Sequence, residues 1–166
     1  MKKILLALML CVSVACGWAQ VASINWGMTS FKCTVEKTDS VFYIVGILKS
    51  SKYTFLGTPT LMFKTFDDEV ISLKGNVADR KSKVYGYAWG NAIEAYSRDK
   101  TIALFLVTED LMEKINTFGI KKVRVITTPK YIEQSYSQEE ATFDEDAFSR
   151  RLYASYLKAK KKADEF

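Results

Sequence analysis

The residues that could do chemistry are few. The chain contains no histidine, which removes serine–histidine and cysteine–histidine nucleophile activation, histidine metal sites and histidine proton shuttles. What remains is carboxylate chemistry, a serine–lysine pair, or none. The densest carboxylate group is Asp67-Asp68-Glu69, which could bind calcium through oxygens or supply a general acid and base. The same residues suit a hairpin turn, because Asp tolerates turn dihedrals and bonds its own backbone. Adjacent acids also fit a turn better than catalysis, which sets its carboxylates across a cleft from separate elements. Glu94 is the partner that a hydrolase reading would bring to Asp67 or Asp68. Asp144-Glu145-Asp146 is read as the acidic first turn of a helix, favoured there by the helix dipole. Gly86-Tyr-Ala-Trp-Gly90 lacks the third glycine of a dinucleotide loop and the lysine–serine end of a phosphate loop. No catalytic residue, metal or cofactor is therefore expected.

Two other constellations concern binding. Tyr85, Tyr87 and Trp89 alternate with Gly86, Ala88 and Gly90, so on a strand the rings share one face. Burial of the rings is the expectation, since large aromatics usually mean core. The opposite orientation leaves a row of flat rings that can stack on sugars or bases, and makes these three the candidate ligand-binding residues. The second constellation is the basic tail, Lys158, Lys160, Lys161 and Lys162. Phe148, Leu152, Ser155, Tyr156 and Ala159 fall on one helical side, and the stripe stops where the lysines crowd together. The expectation is a helix docked by its apolar face with a solvated basic end; contact with an anionic surface is the alternative.

The elements that must carry these residues begin after a leader. Lys2 and Lys3, the apolar run Ile4 to Ala15 and the small residues through Ala19 have the order of a secretory signal. The run is short of the roughly 20 apolar residues of a spanning helix. Residues 1–19 are read as signal peptide, with Cys16 as a lipidation site in a competing reading, and 20–166 as a single domain. Cys11 and Cys16 leave with the signal, so Cys33 stands alone and no internal disulfide forms. The formal charge of +5 loses two units with Lys2 and Lys3, too mild to name a nucleic-acid or membrane partner.

Phe31 to Lys37 and Val41 to Leu48 are expected to form a hairpin across Thr38-Asp39-Ser40, and Lys49 to Pro59 a loop. Thr60 to Phe66 and Val70 to Lys74 form a second pair across Asp67-Asp68-Glu69. Val77 to Lys83, polar and charged, reads as a wide turn before a strand at Val84 to Ala88, with Gly90-Asn91 as a further turn before Ile93 to Tyr96. Thr101 to Val107 reads as a central strand buried on both faces. Thr108 caps a helix that buries Leu111, Met112, Ile115 and Phe118 and stops at Gly119. Lys121 to Thr127 is a strand; the helix before it is either a parallel crossover or lies across one end of an antiparallel sheet. Pro129 ends that strand, Tyr131 to Ser135 resumes pairing, and a last helix starts near Thr142 to Asp144, where Thr142 and Glu145 have capping-box spacing.

The block FLVTEDLMEKINTFGIKKVRVITTP, followed by the basic helix, resembles a pattern in small exported proteins of Gram-negative gut anaerobes, over about the last 65 residues. That resemblance implies export and an α+β shape.

The fold class expected is thus α+β, a mainly antiparallel sheet with one short helix and a C-terminal helix packed on it. The function expected is an exported binding or interaction module of the cell envelope without catalytic activity, periplasmic or extracellular, its partner an envelope glycan or another protein and not nucleic acid. A carboxylate-dependent hydrolase and a structural lipoprotein anchored through Cys16 are the alternatives.

Overall fold

The structure, a computed structural model, describes residues 21–55, 57–89, 92–144 and 147–164. The leader, Cys16, Gly90-Asn91, Glu145 and Asp146 lie outside the described residues, so the readings placed on them are not addressed by it.

Eight strands form one sheet in the order β1-β2-β3-β6-β5-β4-β7-β8, each pair antiparallel. The strands are β1 Ala22–Trp26, β2 Thr29–Thr38, β3 Val41–Ser50, β4 Thr60–Thr65, β5 Val70–Trp89, β6 Ala92–Val107, β7 Ile120–Ile126 and β8 Ile132–Ser135. Among the described residues three helices accompany the sheet: α1 Glu109–Phe118, α2 Gln138–Phe143 and α3 Phe148–Asp164. Strand accounts for 57% and helix for 22%, and the sheet is nearly closed and barrel-like. This corrects the expected α+β class with one short helix and a C-terminal helix packed on a sheet. The fold is mostly β, and α3 packs against β1, β2 and α1.

The main source of the error is Val77 to Lys83. It is not a wide turn but the middle of the 20-residue strand β5, with a bulge between Val77 and Asp79. Apolar alternation marks a strand only where one face is buried, and from Arg80 to Lys83 every residue is exposed.

Elsewhere local chemistry and fold agree. Asp39 and Ser40 both have positive φ (49° and 65°), as a two-residue hairpin turn requires to match strand twist. Thr108 accepts from the Leu111 amide, and the Gly119 amide bonds the Ile115 carbonyl, so α1 starts and stops where its caps stand. It joins β6 to β7, which lie three antiparallel steps apart in the sheet and so run in opposite directions, which excludes a parallel crossover. Met112 and Ile115 are buried, whereas Phe118 is exposed, a correction to the expected stripe. Leu106 is 56% exposed, so β6 is not buried on both faces either. The last helix does not begin near Thr142. Ser137 and Glu140 make the capping box, α2 ends at Phe143 with Asp144 as its C-cap, and α3 starts afresh at Phe148.

The core fills the inner face. Phe31, Ile44, Leu61, Phe63, Phe105 and Val123 from the strands meet Phe148, Leu152 and Tyr156 of α3. All five predicted stripe residues of α3 are buried. Cys33 is buried and unpaired. Ser155 Oγ, also buried, accepts the Val35 amide at 2.8 Å. The described part of β1 starts at Ala22 opposite Cys33, and the serine serves the next outward amide of β2.

Candidate functional site

The predicted carboxylate group is a turn held by cations. Asp67 accepts from Thr65 Oγ1, Asp68 has a φ of 64° and pairs with Lys64 at 2.8 Å and Lys121 at 3.0 Å, and Glu69 pairs with Lys114. Hydrogen bonds from Lys64 and Lys121 hold the Asp68 carboxyl below its usual value, the opposite of a proton-donating acid. Glu94 sits far from this turn in the ladder, opposite Tyr87. A cleft of about 260 Å³ between α1, α2 and α3, lined by Phe66, Phe118, Gln138 and Arg150 among others, has no carboxylate in its wall among the described residues. Among the described residues no three acids or thiols gather at metal-binding distance.

The basic tail is partly committed to packing. Lys160 bonds Glu109 of α1 at 2.7 Å, and Tyr153 bonds both oxygens of Glu113; these contacts latch α3 to α1. The Glu109 bond raises the Lys160 pKa. Lys158, Lys161 and Lys162 are exposed, a solvated helix end.

The aromatic constellation stands out most. Beyond the body, β5 and β6 continue as a two-stranded arm from Lys83↔Arg98 to Trp89↔Ala92 with no further strand on either side among the described residues. At about 3.4 Å per residue the arm reaches roughly 20 Å. Both of its faces are open: Val84 is 70% exposed, and Tyr85 and Tyr96 on the other side are 37% exposed. The expected burial of the row is therefore overturned at Tyr85. The side chains of Tyr87 and Trp89 lie outside the described residues. The ladder places both positions on the register face of Tyr85.

Tyr85 and Tyr96 are directly opposite and stacked, with ring centroids 5.3 Å apart and planes 17° off parallel. Lys83 Nζ lies 5.2 Å from the Tyr85 ring. A bare two-stranded ribbon is marginal in water, and this cross-strand pair with its cation–π contact supports it where no third strand can.

The arm's root is fixed to the body's loops. Ser50 Oγ accepts the Lys52 and Tyr53 amides and bonds Thr29 Oγ1 at 2.7 Å, which holds Tyr53 in a stack on Trp26 at 5.6 Å. Arg98 bonds the Met28 carbonyl at 3.3 Å, and Arg80 bonds the Phe55 carbonyl at 2.9 Å.

Cations also line up at this root. Lys49 of β3 is directly opposite Lys100 of β6, and Lys100 is directly opposite Lys81 of β5. Two residues outward on the same face come Lys83 and Arg98, and after them Tyr85 and Tyr96. Lys81 is 3.4 Å from Asp79. Tyr96 and these five cations were not identifiable from sequence, because they come from three strands whose register only the fold sets.

No protein-family model, curated protein or solved structure matches this chain. No helix among the described residues is long and apolar enough to cross a membrane.

Proposed function

We propose that the protein is an exported binding module of the cell envelope, acting by surface recognition without catalysis, and that the β5–β6 arm is its recognition element. One observation carries this: an arm open on both faces presents the stacked tyrosines Tyr85 and Tyr96 to solvent. Exposed aromatic surface on a projecting element is costly to leave in water and suits stacking against a flat partner such as a sugar ring. The turn-bound acids support the non-catalytic part of the reading. The leader-like N-terminus and the resemblance to exported proteins support the envelope.

Binding of the chain starting at Gln20 to a panel of purified neutral and acidic polysaccharides tests it. A Tyr85→Ser/Tyr96→Ser double variant is expected to lose at least tenfold in affinity while the body keeps its melting temperature. Equal binding by the double variant would remove the arm from the function. The intact mass of the protein from cell fractions reads the export step: a chain starting at Gln20 supports release, and a lipid-bearing Cys16 supports the anchored alternative.

A further inference from the structure

We infer that the arm's root binds an acidic polysaccharide, its carboxylates or sulfates held across Lys49, Lys100 and Lys81 and its sugar rings against Tyr85 and Tyr96. This rests on the reading of the arm as the recognition element and names its ligand class. Directly opposite like charges in an antiparallel pair are destabilising, and here two such pairs share one lysine, followed outward by a Lys83–Arg98 pair. Among the described residues one carboxylate, Asp79, offsets one of the five cations at 3.4 Å. Arg98 Nε is buried without a hydrogen-bond partner among the described residues, while its guanidinium holds the Met28 carbonyl.

The spacing fits a polymer. Neighbouring strands are about 4.8 Å apart and successive same-face residues about 6.8 Å, so the cations form a small grid at the scale of single sugar residues. The tyrosine stack continues that grid outward on the same face. Carboxylates would meet lysines while pyranose faces meet rings, a division of labour that one acidic glycan chain satisfies along its length. The proposed export makes nucleic acid, which could exploit the same pairing of charge and stacking, the less available ligand.

The test uses the chain starting at Gln20 with polygalacturonate, its fully methyl-esterified neutral form, heparin, single-stranded DNA and phosphatidylglycerol vesicles. The variants are Lys49→Gln/Lys81→Gln/Lys100→Gln and the tyrosine double. Expected are binding of polygalacturonate or heparin that weakens with salt, loss of at least tenfold in the lysine triple, and no comparable binding of the methyl ester. The triple should melt at the same temperature as wild type or higher, since it removes repulsion. Methyl ester bound as well as polygalacturonate, with the triple unaffected, overturns this inference and leaves the arm as a neutral-glycan binder. Tighter binding of DNA or vesicles through the same lysines overturns the polysaccharide assignment. Absence of binding to every polysaccharide overturns both this inference and the arm's proposed role.

Discussion

The ring of Phe105 packs so closely on the backbone of Gly75, its direct cross-strand partner, that a methyl group at Gly75 would stand 2.7 Å from the ring's Cδ1 and 2.5 Å from the Leu104 carbonyl. Gly46, on the other neighbour of β6, leaves the same ring little more room, at 3.0 Å. Phe105 is thus flanked by two glycines and is fully buried. Gly75→Ala must move either backbone or ring, and overpacking of this kind costs about 1–3 kcal/mol. Urea denaturation should show that loss, and an unchanged midpoint would mean that β5 does not pass this close to β6.

Ser155 serves a backbone amide that the described strands do not. Ser155→Ala leaves the buried Val35 N–H without its acceptor, at about 1–3 kcal/mol. Hydrogen exchange gives a local reading: the Val35 amide should exchange faster in the variant than amides of β4 and β7. Uniform change across all strands would show that the serine only packs.

Burial pushes the Cys33 thiol well above its ordinary value of 9.0. The folded state holds the proton that the unfolded state releases. Stability from this group is therefore fully present below pH 9 and lost as pH rises beyond it, by about 1.4 kcal/mol per pH unit until the folded thiol ionises. Cys33→Ala is expected to be less stable than wild type at pH 7.5 and to close part of that gap at pH 10. Parallel pH profiles for the two proteins would show that the thiol is not the titrating group.

Trp26 is half exposed, 50%, and acrylamide should quench it readily in a Trp89→Phe variant of the chain starting at Gln20. Under the arm reading the emission lost in that variant, which reports Trp89, is also open to quencher in wild type and is shielded when an acidic polysaccharide binds. A Trp89 signal closed to acrylamide without ligand would contradict an open arm.

The parts of the fold legible in the sequence are those whose signals are local. Asp39-Ser40 marked the β2–β3 turn, Thr108 and Gly119 bounded α1, and the stripe from Phe148 to Ala159 fixed the buried side of α3. Where two local signals compete, spacing alone cannot choose: Thr142 with Glu145 and Ser137 with Glu140 have the same separation, and the second pair makes the cap. The arm escaped notice because Lys81, Ser82 and Lys83 bury neither face, so the strand lacks the alternation by which strands are read. The aromatic row was visible as an alternation, but its orientation depends on whether the ribbon has left the body. The Lys49–Lys100–Lys81 row had no sequence signal at all, since its members are neighbours only through strand order and register.

The arm also separates reach from stability. With no third strand along its outer part among the described residues, two residues could be added to or removed from each of its strands, changing its length by about 7 Å and leaving the body's contacts untouched. A change by a single residue would instead turn every side chain beyond it to the opposite face. The distance between body and contact point can therefore drift among related chains in paired steps while the packed interior stays fixed, so length variation confined to even increments is the pattern such an appendage would leave in its descendants.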